Sequence, residues 1–155
     1  ENTAYDPHPG SGPISANIAS ARVAGMELLG QYNWGNGLDT GISYSFSDNR
    51  NLQTNKMLPF RPRHNVKLWQ EWQIPQWPLT LRLETLYRNG TWNDFANRFP
   101  VKDSLQINAL LRYRITSNFE AYVRGENLSD NRHAFVGNQD TPGVAVYGGI
   151  AMTLP

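Results

Sequence analysis

The 155-residue chain has no cysteine, which excludes thiolate metal sites, disulfide staples and cysteine nucleophiles. It also lacks any stretch approaching the roughly 20 apolar residues of a membrane-spanning helix, so a passage through a bilayer would have to be made by strands. Net charge is nearly absent, with fourteen Lys and Arg against thirteen Asp and Glu. No overall basic field therefore draws nucleic acid, and no acidic tail is present. Hydrophobic residues are 39% of the chain, fewer than the roughly 45–50% of soluble domains, which argues against an ordinary water-soluble core. G-x-S-x-G, Walker, H-E-x-x-H and C-x-x-C motifs are missing as well, so neither catalysis nor a cofactor is expected. Residues 1–7 have no basic n-region or apolar h-region, the expectation for a fragment or a processed product.

Aromatic residues, by contrast, are plentiful, with five Trp and seven Tyr. Helical periodicity fits poorly anywhere, whereas period-2 alternation recurs in seven segments, at about 20–34, 38–48, 64–74, 79–89, 104–115, 119–128 and 143–154. Each has about the 9–11 residues of a tilted membrane strand, or slightly more. The connections alternate in length. Three are short (35–37, 75–78 and 116–118) and three are long (49–63, 90–103 and 129–142). Outer-membrane barrels alternate short periplasmic turns with longer extracellular loops in this way.

Face assignment supports the same architecture. In 105–115 the odd positions read Leu105, Ile107, Ala109, Leu111, Tyr113 and Ile115, while the even ones include Gln106, Asn108, Arg112 and Arg114. One apolar and one wet face is the dyad repeat of a membrane strand. The apolar faces, taken from Ala24 to Trp34, Leu38 to Phe46, Val66 to Ile74, Leu79 to Tyr87, Leu105 to Ile115, Phe119 to Gly125 and Val144 to Leu154, hold no Asp, Glu, Lys or Arg, as expected if a lipid-facing Arg or Lys costs about 2–4 kcal/mol at the midplane. Trp34, Trp72 and Trp77 collect near the short turns, where an interfacial aromatic girdle would lie. Pairing apolar with apolar across each hairpin predicts Arg114 opposite Glu120, Asn108 opposite Glu126, and Glu71 opposite Arg82, so that opposite charges meet on the wet face.

The histidines His8, His64 and His133 lie in or beside connections and are far apart in sequence. Their spacing supports no metal site. Glu71, Glu84, Glu120 and Glu126 alternate with Arg82, Arg112, Arg114 and Arg124 on one sheet face. This reads as a solvated network rather than the carboxylate pair of a glycosidase.

Residues 124–131, Arg-Gly-Glu-Asn-Leu-Ser-Asp-Asn, followed by a loop and a last apolar strand, resemble the end of TonB-dependent receptors, whose penultimate strand carries an (E/N)NL(F/L)D run. Met26-Glu27-Leu28 after Gly25, and the run Leu58-Pro59-Phe60-Arg61-Pro62-Arg63-His64-Asn65, look like the G-x-E-L and P-x-x-P-x-H passages of that family, especially its siderophore and cobalamin members. The resemblance covers nearly the whole chain. Barrels of that family end in a lipid-facing aromatic, whereas this sequence ends Met152-Thr153-Leu154-Pro155.

What the resemblance implies is an all-β transmembrane antiparallel barrel in the bacterial outer membrane, of which this chain is the last seven of about 22 strands. Residues 1–19 would then be an extracellular loop and 20–155 the strands, with the plug domain and TonB box not found in these residues. The implied function is TonB-driven import of a ferric siderophore, a similar metal chelate or cobalamin. Implied partners are the other barrel strands and the plug, in the same or a separate chain, TonB through the plug, outer-membrane lipid or lipopolysaccharide, and a small chelate, with no nucleic acid. Candidate ligand contacts are Arg61, Arg63, Trp92, Phe95, Arg98, Arg132, His133 and Phe135, with Phe99 nearby. They combine cations with aromatic faces that suit an anionic chelate. The same residues could instead serve loop packing or lipopolysaccharide contact. Other readings of the chain are an autonomous small barrel, membrane-embedded or lipocalin-like, and a fragment of a passive porin.

Overall fold

Alternation becomes geometry in the computed structural model, which describes residues 2–4, 14–16, 20–132 and 142–153. The elements in chain order are β1 (Asn2–Ala4), β2 (Ile14–Ala16), β3 (Ala21–Gly35), β4 (Leu38–Asn51), β5 (His64–Gln73), β6 (Leu79–Arg88), β7 (Thr91–Trp92), β8 (Pro100–Val101), β9 (Ser104–Arg114), β10 (Phe119–Glu126) and β11 (Ala145–Met152). Seven long strands form one antiparallel meander in the order β11-β10-β9-β6-β5-β4-β3. The short pairs β1-β2 and β7-β8 lie outside it, the latter inside a connection expected to be irregular.

The expected registers are present: Arg114 pairs with Glu120 in the β9-β10 hairpin and Glu71 with Arg82 in β5-β6. The β9-β10 ladder stops at Ala109 and Gly125, one pair short of Asn108 and Glu126. There the Asn108 side-chain oxygen takes the Asn127 N–H at 2.9 Å instead. Asn127 has φ 48°, which turns the chain out of the sheet and explains why β10 ends before the expected 128. β4 runs past 48 to Asn51 because its ladder with β3 continues to Ala21 opposite Asn51.

The short turns obey local chemistry. Gly35, Asn36 and Gly37 all have positive φ, at 76°, 51° and 79°, conformations that glycine and asparagine adopt at least cost. A Cβ on Gly37 would also strike the Gln73 carbonyl. In the next hairpin Trp77 N–H donates to the Ile74 carbonyl at 3.2 Å, with Pro75 at the second position and Gln76 at φ 69°, the pattern of a type II turn.

The sheet has almost no core of its own: among the described residues Leu58 is the buried hydrophobic side chain. Large apolar groups lie open instead, Ile150 at 71% and Leu28 at 64% exposure. Most of them occupy the face assigned to lipid, with Val23 and Leu29 of β3 and Tyr147 of β11 as exceptions on the other. A two-sided sheet with this much uncovered apolar surface is stable only where something other than water covers that face.

The opposite face is laced with charge. Arg82 bonds Glu84 at 2.9 Å and Glu71 at 3.3 Å, Lys67 reaches Glu84 at 3.6 Å, and Arg112 reaches Glu71 at 3.1 Å. Arg82 also stacks on Trp69, 4.6 Å from the ring centroid, and that indole lies over Gly41 of the neighbouring strand, where any Cβ would collide with it.

Candidate functional site at the long-loop end of the sheet

Two of the long connections fold against each other. From the 52–63 connection, Phe60 N–H donates to the Trp92 carbonyl at 2.9 Å and Arg61 N–H to the Thr91 hydroxyl at 3.1 Å. Asn97 at the tip of the 89–103 connection binds both backbone groups of Met57: its oxygen accepts the Met57 N–H and its amide donates to the Met57 carbonyl, each at 2.9 Å. Lys56 donates to the Ala96 carbonyl at 3.0 Å. At the base, His64 N–H meets the Asn89 side-chain oxygen at 2.8 Å. Unpaired backbone groups that would need water are thus satisfied between the loops, which makes one platform of two connections.

The 89–103 connection carries its own clasp. Asp94 accepts the backbone N–H groups of Arg98 (2.8 Å) and Phe99 (3.0 Å) and pairs with the Arg98 guanidinium at 3.4 Å. Partial burial works to raise the Asp94 pKa, but these three donors outweigh it and hold the carboxyl below the ordinary carboxylate range. Asp103, at the other end of the same connection, accepts the Tyr87 hydroxyl and the Gly90 N–H, each at 2.6 Å, and these bonds lower its pKa.

In the third connection, Asn127 is buried and acts as a strap. Its amide donates to the Pro142 carbonyl at 2.8 Å and the Asn131 carbonyl at 3.1 Å, and its oxygen accepts the Asn131 N–H at 3.0 Å. The Asn-Leu run has a physical reason here: Asn127 closes the base of the loop, and Leu128 covers Gly125, where a Cβ would run into the leucine.

Of the expected ligand contacts, Arg61, Trp92, Phe95 and Arg98 stand on the joined two-loop platform. Arg61 is exposed, and among the described residues no carboxylate pairs with it. Arg98 is drawn to Asp94 and lies over Phe99, 5.5 Å from its centroid. Arg63 turns down to Asp48 at 3.5 Å, and Arg132 in the third connection reaches Asp130 at 2.9 Å. His133 and Phe135 lie outside the described residues. Among the described residues no three His, Asp or Glu side chains gather as a metal ligand set.

The loop residues that sequence reasoning missed are Asn97, Asp94, Thr91 and Asn127. Their signal was modest: Asn and Asp in turn-rich segments, residues that bond nearby backbone and tolerate positive φ. The platform therefore offers one open guanidinium beside half-exposed indole and phenyl faces, able to hold an anionic group and a flat ring together.

Comparison with known proteins agrees with this architecture. The family model described as TonB dependent receptor-like, beta-barrel matches residues 2–128. The probable TonB-dependent siderophore receptor PiuA of Acinetobacter baumannii is 24% identical over 135 residues, covering 76% of this chain and 18% of that protein. The crystal structure of PiuA from the same organism superposes with a TM-score of 0.74 at 18% identity, over 85% of this chain and 22% of that one. The ferric yersiniabactin uptake receptor FyuA of Yersinia pestis gives a TM-score of 0.69 at 20% identity, over 84% of this chain and 23% of that one. This chain spans about a fifth of the length of such relatives. With the one-sided apolar meander, the alternating turn lengths and this match, the chain belongs to the TonB-dependent receptors of the bacterial outer membrane, as part of their β-barrel.

Proposed function

We propose that this chain is wall and loop platform of an active outer-membrane importer, whose cargo is a ferric siderophore or a similar metal chelate, with cobalamin second. The loops at the long-connection end capture the cargo outside the cell. A plug, from the same polypeptide or another, occupies the lumen against the charged face, and TonB acts through that plug to let the cargo pass. On this reading, residues 1–19 belong to an extracellular connection and 20–155 to the last seven of about 22 strands. The observation that carries the reading is the seven-stranded sheet with one apolar face and a charge-laced other face, in a chain whose relatives bear the names of siderophore receptors. Arg61, Trp92 and Phe95 are the foremost ligand contacts, with Arg98 and Arg132 supporting them and His133 and Phe135 nearby in sequence, whereas Arg63, turned to Asp48, is not counted among them.

The test uses the intact receptor that contains this segment. Cells whose only iron source is a labelled ferric siderophore, drawn from a panel, are expected to take it up when the receptor and TonB are both present, and to stop when either is deleted. Uptake that continues without TonB would mean a passive pore. On purified receptor, Arg61→Ala is expected to weaken binding of the imported chelate about tenfold, the scale of one charge-assisted contact. Unchanged affinity would remove Arg61 from the site.

A further inference from the structure

Above the apolar belt, on the outward face of β3 and β4, three arginines crowd one carboxylate. Arg22 and Arg50 stand directly opposite each other in the ladder, and Asp48 stands opposite Ala24 one pleat nearer the membrane. The Arg50 Nε lies 3.0 Å from both Asp48 oxygens, Arg63 reaches Asp48 at 3.5 Å and Arg22 at 3.9 Å. Like charges facing each other across a ladder are unfavourable, and one carboxylate cannot neutralise three guanidinium groups. Two positive charges are left over. Asp48 itself is nearly covered, at 13% exposure, while Arg22 stays 62% exposed, so the unspent donors point outward. The Arg63 Nε is buried without a hydrogen-bond partner, and its guanidinium lies 5.4 Å from the Phe46 centroid.

The height of this cluster decides what it meets. Alternation puts Arg22, Asp48 and Arg50 on the same face as Met26, Leu28, Ile42, Tyr44 and Phe46. From Leu38 to Phe46 a strand tilted by 35–45° climbs roughly 20 Å, close to the apolar band of about 25 Å in such barrels. Phe46, Tyr44 and His64 form an aromatic rim at its upper end, with the Tyr44 hydroxyl 2.8 Å from His64 Nδ1 and the Phe46 and His64 rings 5.2 Å apart. Asp48 and Arg50 sit one and two pleats above that rim, at headgroup level. Asp48 is the sole acid on the outward face of the described strands. The other acid near that level, Asp103, is engaged by Tyr87 and Gly90.

We propose that Arg22, Arg50 and Arg63 form a binding site for a phosphorylated lipid headgroup of the outer leaflet, of the lipid A kind. Guanidinium groups pair with phosphate through parallel N–H···O bonds, and a basic pocket at a membrane surface is a recognised headgroup site. The location distinguishes a lipid from free phosphate: acyl chains hanging from a phosphate held here would lie along Met26, Leu28 and Phe46 directly below, contacts that an inorganic ion cannot make. Asp48 holds the three guanidinium groups together before the lipid arrives.

The experiment uses the intact receptor, purified in detergent and stripped of lipid. Native mass spectrometry would follow its binding of bis-phosphorylated lipid A, with dephosphorylated lipid A and inorganic phosphate as parallel ligands. Arg22→Gln is expected to weaken binding of the phosphorylated lipid about tenfold, and Arg22→Gln with Arg50→Gln more than that, while the dephosphorylated lipid binds weakly to every form. Arg22 is exposed enough that its single variant decides the matter if the double one fails to fold. Equal binding by wild type and Arg22→Gln, or equal binding of the two lipids, would overturn the proposal. Inorganic phosphate competing at the concentration of the lipid itself would make this a free-anion site and overturn it too.

Discussion

Arg63, Arg98 and Arg132 end 3.5, 3.4 and 2.9 Å from Asp48, Asp94 and Asp130, whereas Arg61 ends in solvent. Four arginines of one sequence class therefore have different jobs: Arg98 and Arg132 each have an aspartate close in sequence, Arg63 shares Asp48 with Arg22 and Arg50, and Arg61 has no carboxylate beside it among the described residues. Asp94 is the most informative partner. Its pKa is lowered in the folded loop, so the stability it contributes is fully present above the ordinary carboxylate value near 3.9 and is lost progressively as pH falls from there through the lower folded value. Amide exchange at Arg98 and Phe99, corrected for intrinsic rates, is expected to stay protected down to about pH 4 and to fail below it. Asp94→Ala should cost the loop about 1–3 kcal/mol of opening free energy. Protection that fades above pH 5 would contradict this role. The Asp94–Arg98 pair was legible in principle from its four-residue spacing. The Arg63–Asp48 pair was not, since it depends on how β4 and β5 lie side by side.

At the scale of the strand, side-chain direction decides energy. Leu83 lies mid-strand on the outward face, half open at 41% exposure, whereas Gln106 lies on the charged face opposite Leu86. Leu83→Arg is expected to destabilise the membrane-inserted receptor by about 2–4 kcal/mol, and Gln106→Arg by no more than about 0.5 kcal/mol. Equilibrium unfolding by urea from lipid vesicles measures both, and equal costs would reverse the face assignment. This face was readable without coordinates because the period of two is a property of extended backbone. The hairpin registers were readable for a related reason: shifting by one residue would have put Glu71 and Arg82 into lipid. Strand ends were less legible, as Asn127 shows, because a positive φ at a non-glycine residue is set by the bonds its side chain finds.

The whole sheet is an unfinished surface. Among the described residues, the outer edges of β3 and β11 carry no partner strand, and an open edge in hydrocarbon leaves backbone groups unsatisfied. Residues 20–153 produced alone are therefore expected not to yield a protease-resistant, heat-modifiable barrel in vesicles, and to do so only together with the remainder of the receptor. A closed, inserted barrel from this segment alone would contradict the architecture. On the proposed reading transport belongs to the complete receptor, to which this sheet supplies one apolar surface, one charged surface and a shared loop platform.

The sequence by itself determined the strands, their two faces, the alternation of short and long connections, and the pairing of Glu71 with Arg82 and Arg114 with Glu120. All of these follow from extended-chain geometry and from the cost of placing charge in lipid, which act residue by residue along the chain. Tertiary structure alone decided that the 52–63 and 89–103 connections join through Asn97 and Met57, that Arg63 turns to Asp48 while Arg61 faces solvent, and that Arg22, Arg50 and Arg63 meet above the aromatic rim. Those outcomes depend on side chains far apart in sequence meeting in space, and loops have no repeating period from which such meetings can be read.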